Sequence, residues 1–232
     1  MTPISSKELL ERAALDFGIL PFFRNRIEGF SVEEMAAPGM LFGESSDDYG
    51  CWEWKGPVIQ QQTTAYGKFF NRKAGFVSCK LLPDFLNYRR DRYPVVPGSM
   101  EERILKIVTE REGITSTDLK KEIFGSARRN RKPADLIDLI DRKTSKRPSL
   151  EGALQRLQMG GHMLIADFEY KYTAQGKRYG WGVALYSTPE IWFERDFSLK
   201  ECTPGESFRR LVLYMKEKLP GADARQLQYL FS

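Results

Sequence analysis

Three consecutive residues, Trp52-Glu53-Trp54, are the most distinctive candidates for chemistry in this sequence. Alternate side chains of a strand point to opposite faces, so in a strand both indoles would share one face and Glu53 would occupy the other. Tryptophan rings stack on extruded nucleobases, and a carboxyl group with a raised pKa acts as a general acid or base. The alternative is that both tryptophans are core residues, because large aromatic side chains dominate protein cores.

Positive charge is concentrated in one segment, residues 120–147, which contains ten basic and four acidic residues. The rest of the chain contains 26 basic and 27 acidic residues, so this segment accounts for the net charge of +5. A concentrated basic segment is typical of a phosphate-binding surface, although a solvated loop without a partner has the same composition. A second basic cluster, Arg89, Arg90 and Arg92, either extends such a surface or flanks a linker.

Cysteine and histidine usage excludes several classes of site. Cys51, Cys79 and Cys202 are far apart, which predicts neither a disulfide framework nor a redox pair. His162 is the single histidine, so closely spaced zinc ligands and a Cys-His or Ser-His hydrolase are not expected. We therefore expect no metal and no cofactor. The sequence has no secretory signal and no apolar run near the roughly 18 residues of a membrane span, which predicts a cytoplasmic protein without a membrane partner.

The first half of the chain predicts an α+β domain over residues 1–98. Ser5-x-x-Glu8 predicts a capping box for a helix that ends at Gly18. Residues 51–79 read as β structure, with a hairpin turn at 71–73, and a short helix is predicted over residues 81–86. Pro94, Pro97 and Gly98 then predict a linker and a domain boundary.

The second half predicts a winged helix over residues 99–193, because three helices are followed by a β-hairpin. Ser99 caps the first helix, Thr115-Ser116 caps a second helix that ends at Gly125, and the third helix runs from about Ser145 to Met159. A basic insertion covers residues 124–146. The predicted hairpin strands are residues 163–170 and 179–186. A winged helix places its third helix in the major groove of DNA, although the module also serves for packing or for protein interaction.

The predicted DNA contacts lie on the third helix, the hairpin and the insertion. Basic and amide side chains at these places can meet phosphates and base edges. The candidates are Arg128, Arg129, Lys143, Lys146, Arg147, Ser149, Gln155, Arg156, Lys171, Lys177 and Arg178.

Residues 194–232 predict a C-terminal helix-turn-helix segment that repeats the first part of the winged helix. Five apolar or glycine positions recur 108 residues later: Met100, Ile104, Ile107, Gly113 and Leu119 correspond to Phe208, Val212, Met215, Gly221 and Leu227. Thr203-Pro204-x-Glu206 caps the first helix of this copy. Because the copy has no third helix, we expect it to pack structurally and not to bind DNA.

These motifs together carry a family resemblance. The second half resembles the winged-helix DNA glycosylases of the AlkZ type. The resemblance lies in the order helix, Gly113-Ile114-Thr115, short helix, Leu150-Glu151-x-x-Leu154-x-x-Leu157, Gly-Gly and long hairpin. The segments 17–23 and 52–57 are more similar to the AlkZ-related proteins, a bacterial branch. The resemblance implies tandem winged helices and removal of alkylated or cross-linked bases without a metal or cofactor. The family's catalytic motif is two glutamines around one residue. Gln60 and Gln62 match this pattern but lie in a predicted strand, whereas the family's motif lies in an early helix.

The leading hypothesis is a winged-helix protein that binds duplex DNA. One alternative is a cofactor-free glycosylase acting on alkylated or damaged bases, with Glu53, Gln60 or Gln62 as catalytic candidates and Trp52 and Trp54 as base-stacking residues. The other is a non-catalytic interaction module. The sequence leaves open whether the protein is an enzyme and what its oligomeric state is.

Overall fold

A computed structural model describes residues 2–43, 49–129, 149–176, 178–199 and 201–231 of the protein. It is a mixed α/β structure with two small antiparallel sheets of three strands each. The first half contains α1 (Lys7–Phe17), β1 (Ile19–Pro21), α2 (Val32–Met35), α3 (Cys51–Gln60), β2 (Thr64–Phe70), β3 (Lys73–Ser78) and α4 (Leu82–Arg92).

The first sheet has the strand order β1-β3-β2. Its hairpin turns at Asn71-Arg72, as predicted, and both residues have positive φ, 49° and 67°. Two central residues with positive φ match the twist of the flanking strands, so the turn projects Arg72 from the tip of the hairpin. The N-cap of α1 is Ser6, whose hydroxyl accepts a hydrogen bond from the Leu9 N–H, so the predicted capping box at Ser5 is wrong by one residue.

The predicted β structure is wrong over residues 51–62, because residues 51–60 form α3 and a turn follows. Gln60 therefore ends a helix, and Gln62 lies in the turn after it. Cys51, Lys55, Val58 and Ile59 are buried, and their spacing is helical. This face packs against α1 and the first sheet, and burial there outweighs the β preference of the aromatic residues. Pro57 lies within α3 and does not end it.

The second half contains α5 (Met100–Glu110), β4 (Ile114–Thr115), α6 (Ser116–Arg129), α7 (Leu150–Met159), β5 (Leu164–Tyr172) and β6 (Arg178–Ser187). The second sheet has the order β4-β6-β5, so the predicted hairpin is extended by the short strand β4. Two predicted helix boundaries are wrong. α6 continues through Gly125, and α7 begins after Ser149, whose extended backbone and capping hydroxyl place it outside the helix.

After β6 come the short helix α8 (Pro189–Trp192) and then, in the C-terminal segment, α9 (Pro204–Lys218) and α10 (Ala224–Leu230). The predicted capping box at Thr203 and Glu206 is confirmed. α9 packs against α4, where the rings of Phe208 and Tyr88 stack with centroids 4.7 Å apart. Within the described residues, no helix is long and apolar enough to cross a membrane.

A buried arginine joins three of these elements. Arg89 of α4 is fully buried and donates hydrogen bonds to the carbonyl oxygens of Phe69, at the end of β2, and Phe231, after α10. The distance to the Phe231 oxygen is 2.9 Å. Burial lowers the pKa of Arg89 to about 10, so it stays cationic at neutral pH.

We expect Arg89→Ala to lower the free energy of unfolding by about 3–5 kcal/mol, because it leaves a cavity and two buried carbonyl groups without donors. Urea denaturation measures this loss. Arg210→Ala is the control, since Arg210 forms an exposed ion pair with Asp84 at 3.4 Å and should contribute less than about 1 kcal/mol. Equal losses in the two variants would contradict the role assigned to Arg89.

Candidate nucleic-acid interface

The polar face of α7 forms one wall of a groove of about 730 Å³. The opposite wall is the end of α4 and the chain that follows it, from Arg92 to Val96, and Arg72 extends into the groove from the hairpin tip. The groove is lined by Arg72, Arg92, Tyr93, Pro94, Val95, Val96, Glu101, Ser149, Glu151, Gly152, Gln155, Arg156, Leu157, Met159 and His162. The polar face of α7 is therefore accessible, but it faces a groove and not a freely convex surface.

Arg156 is the arginine of this groove with a carboxylate partner. Its Nε lies 3.2 Å from Oε1 of Glu101, a buried residue in the first turn of α5. In the part of the chain that the structure describes, no carboxylate forms an ion pair with Arg72 or Arg92. A hydrogen bond with Tyr93 raises the pKa of Arg92 above its ordinary value, so Arg92 stays cationic. Two exposed cations thus remain available to an anionic ligand.

A second groove of about 410 Å³ adjoins the first, because Arg92 lines both. Its lining residues are Arg26, Tyr88, Arg92, Arg225, Gln228 and Tyr229, and it contains no acidic side chain. The guanidinium carbon of Arg26 lies 3.6 Å from the centroid of the Tyr229 ring. We call the five exposed arginines of the two grooves, Arg26, Arg72, Arg92, Arg156 and Arg225, the arginine strip.

Two long-range hydrogen bonds position the outer part of the arginine strip. The side chain of Gln226 donates to the carbonyl oxygen of Arg26 at 2.8 Å. Asn71, beside Arg72 in the hairpin turn, donates to the carbonyl oxygen of Tyr229 at 2.9 Å. These bonds hold α10 against the loop after β1 and against the hairpin, so that arginines from separate elements line one continuous surface.

The predicted DNA-contact residues are divided between several places. Ser149 lines the first groove while its hydroxyl caps α7, and Gln155 and Arg156 line the same groove. Lys171 is exposed on β5. Arg178 pairs with Glu53 of the N-terminal half at 3.4 Å, and its guanidinium carbon lies 3.2 Å from the ring centroid of Tyr170 on the neighbouring strand β5. Lys143, Lys146, Arg147 and Lys177 lie outside the described residues, as do the side chains of Arg128 and Arg129.

Sequence reasoning missed Arg26, Arg72 and Arg225. Each has at most one basic neighbour within two residues, and no local pattern relates the three. The cluster containing Arg92 had been noticed, because three arginines occur within four residues. Of that cluster, Arg89 is buried, and Arg90 pairs with Glu190 at 2.8 Å.

The three catalytic candidates have structural partners. The side chain of Gln60 donates to the carbonyl oxygen of Ala166 at 3.2 Å. The side chain of Gln62 donates to the carbonyl oxygen of Trp192 at 2.7 Å. Glu53 accepts from Arg178. All three side chains therefore connect the N-terminal half to the second half of the chain.

The two tryptophans of the 52–54 motif do not share a face, because residues two apart diverge on a helix. Trp54 is partly buried against the core. Trp52 lies in an aromatic cluster, where its ring centroid is 5.7 Å from that of Trp181 and 6.0 Å from that of Phe42. The residue that shares a helical face with Trp52 is Lys55, one turn along α3.

Lys55 is buried between aromatic rings. Its Nζ donates to the carbonyl oxygen of Trp52 and lies 3.8 Å from the Trp52 ring centroid and 4.5 Å from that of Phe168. Burial lowers the pKa of Lys55 to about 7, although the nearby carboxylate of Glu53 works in the opposite direction. The ammonium group therefore loses its proton near neutral pH.

The protein is thus a mixed α/β structure with two adjoining basic grooves, each of which is lined by at least one tyrosine. The chain belongs to the AlkZ-related family, whose model matches residues 4–232, nearly the whole chain. The resemblance seen in the sequence is therefore confirmed, and membership suggests a fold like that of a DNA glycosylase. No curated protein and no solved structure matches the chain.

We expect the free energy of unfolding to rise by about 1–2 kcal/mol between about pH 7 and 8.5 through Lys55. Its folded pKa lies below that of an unfolded lysine, so the unfolded state binds more protons in this range and stability increases with pH. Cys51, whose pKa burial raises to about 11, opposes this trend at higher pH. Urea denaturation at several pH values measures the slope.

Lys55→Met should flatten this pH dependence, because methionine is similar in size and carries no proton. Lys80→Met, at an exposed lysine, is the matched control and should retain the slope of the native protein. An unchanged slope in Lys55→Met would show that another group titrates in this range.

Proposed function

We propose that this protein binds duplex DNA and that the arginine strip contacts the phosphate backbone. The observation that carries the proposal is the continuity of the strip through Arg92, which lines both grooves. Guanidinium groups bind phosphates through paired N–H donors, and a row of exposed cations is the electrostatic footprint of a nucleic-acid surface. Tyr93 lines the first groove, and Tyr88 and Tyr229 line the second, so aromatic rings share both grooves with the cations.

The second half of the chain supports the same function through its topology. Its order α5-β4-α6-α7-β5-β6 and its sheet order β4-β6-β5 are those expected of a winged helix, with α7 as the third helix. We propose that residues 99–193 form this module, that residues 1–98 form the N-terminal domain, and that residues 194–232 form a supporting helix-turn-helix segment.

Contact with phosphates should dominate over reading of base edges. In a typical helix-turn-helix complex, the recognition helix enters the major groove without a neighbouring wall. Here Arg92, Tyr93 and Pro94 stand opposite α7, and Arg156 is engaged by Glu101. Gln155 lines the same groove and is able to contact a base edge, but most of the available donors are arginines suited to phosphate. We therefore expect weak sequence preference and a steep dependence of affinity on salt.

The two alternative functions differ in their support. Glu53, Gln60 and Gln62 are engaged with partners in the other half of the chain, so no observation favours them as glycosylase catalysts. A non-catalytic interaction module would bind no DNA, which makes it an outcome of the experiment below.

We expect the double variant Arg72→Ala/Arg92→Ala to bind a fluorescent duplex of about 20 base pairs roughly tenfold more weakly than the native protein at about 50 mM salt. It should also reduce the slope of log affinity against log salt by about 2, because each phosphate contact contributes close to one unit. Fluorescence anisotropy at several salt concentrations between about 50 and 200 mM gives both values.

The matched control is Arg12→Ala/Lys106→Ala, which removes the same charge from exposed ion pairs with Asp16 and Glu110 outside the grooves. It should retain the salt slope. If the control weakens binding as much as the strip variant, the effect is one of net charge, and the arginine strip is not the binding surface. Absence of binding at the lowest salt would overturn the DNA-binding proposal and favour the interaction module.

A further inference from the structure

Trp181 is exposed to an unusual degree for a tryptophan. Its relative exposure is 71%, whereas Trp52, Trp54 and Trp192 are half-buried. Leaving an indole in water forfeits the large hydrophobic stabilisation that tryptophan provides when buried. Such exposure therefore calls for a role outside the stability of the folded chain.

The backbone of the hairpin is arranged around this side chain. Glu169 pairs with Val183 and Lys171 with Tyr179, so the single residue Tyr170 lies opposite residues 180–182 of β6. This β-bulge directs Trp181 away from the regular alternation of the strand. Two glycines, Gly180 and Gly182, permit this backbone conformation.

Both glycines have a specific structural reason. Gly180 has a φ of +72°, which favours glycine. A Cβ at Gly182 would approach Cε1 of Tyr170 to 2.6 Å, which is too close for a stable contact. The exposed position of Trp181 is thus built into the hairpin and is not a consequence of a loose surface side chain.

The indole of Trp181 packs against a second tryptophan. It meets the ring of Trp52 edge to face, with an interplanar angle of 86°. Trp52 is held in turn by the edge-to-face ring of Phe22 at 5.7 Å and by the Nζ of Lys55. Phe42, itself 53% exposed, also contacts Trp52, with ring centroids 6.0 Å apart. We call Phe42, Trp52 and Trp181 the aromatic platform.

The size of the aromatic platform argues for a small, flat ligand. Each ring buries about 150–250 Å² when fully covered, so the exposed parts of the three offer at most about 400 Å². A stable protein interface needs about 800 Å² from each partner, whereas one nucleobase covers a single indole face. The exposed charge on the same hairpin fits a nucleic-acid strand, because Lys171 is an exposed cation, whereas Arg178 is paired with Glu53.

We propose that the aromatic platform stacks an unpaired nucleobase, so that the protein prefers DNA in which a duplex continues into a single strand. This inference rests on the proposed binding of duplex DNA by the arginine strip. Within the described residues the platform exposes aromatic rings, whose faces stack on a base without reading its edge. Stacking of this kind accepts every base, so the preference concerns DNA structure and not sequence.

The test compares three fluorescent probes in anisotropy titrations. They are a blunt duplex of about 20 base pairs, the same duplex with a single-stranded tail of about six thymidines, and a free thymidine strand of about 20 nucleotides. We expect the tail to increase the affinity of the native protein by about five- to tenfold. Trp181→Ala should abolish this gain and leave the affinity for the blunt duplex unchanged.

Two variants separate stacking from a general loss of apolar surface. Trp181→Phe retains a ring and should keep part of the gain. Tyr172→Ala removes an aromatic residue of the same hairpin that is 61% exposed, and it should keep all of the gain. Quenching of tryptophan fluorescence by the thymidine strand should decrease in Trp181→Ala.

The outcomes distinguish the two proposals. A tail preference that persists in Trp181→Ala overturns the aromatic platform while leaving the arginine strip intact. Binding of the thymidine strand that Trp181→Ala abolishes, without any duplex binding, supports the platform and overturns the strip. Failure of all three probes to bind the native protein overturns both. A dimer in sedimentation that Trp181→Ala dissociates would assign the exposed rings to a protein contact and also overturn the platform.

Discussion

The buried guanidinium of Arg89 is the interaction on which the arrangement of the arginine strip depends. Arg89 belongs to α4, which carries Arg92 one turn further on. Its two carbonyl partners are Phe69, three residues before Arg72, and Phe231, six residues after Arg225. A cation can be buried at acceptable cost only where its donors are satisfied, so these carbonyls must stay in place. One side chain thereby fixes the relative positions of three elements that carry arginines of the strip.

A second set of polar contacts joins the two halves of the chain. Gln60 and Gln62 donate to carbonyl oxygens of the second half, and Oε1 of Gln158 on α7 accepts from the backbone N–H of Lys68 on β2 at 3.0 Å. The Glu53–Arg178 pair connects α3 to the hairpin of β5 and β6. These contacts hold α7 and the hairpin against the N-terminal half. They place α7 beside the first groove, and they use the polar residues that had suggested catalysis.

The charge of this protein illustrates the difference between clustering in sequence and clustering in space. The basic segment 120–147 dominates the sequence, yet much of it, from residue 130 onward, lies outside the described residues. The arginine strip draws on single residues from five separate parts of the chain. Because a surface is assembled from neighbours in three dimensions, a surface can be strongly basic even though its arginines come from separate parts of the sequence. The aromatic platform is assembled in the same way, from the loop before α3, α3 itself and β6.

Features that depend on residues close together in the chain were predictable. The caps at Ser99 and Thr203, the turn at Asn71-Arg72 and the hairpin of β5 and β6 follow from hydroxyl groups, turn residues and strand patterns that act over a few residues. The family was also recognisable from short motifs. The tertiary structure decided that residues 51–60 form a helix, because burial against α1 and the first sheet outweighs local β preference. It also decided which arginines share a groove and that Trp181 is exposed, because contacts between distant residues depend on how the elements pack and leave no pattern in the local sequence.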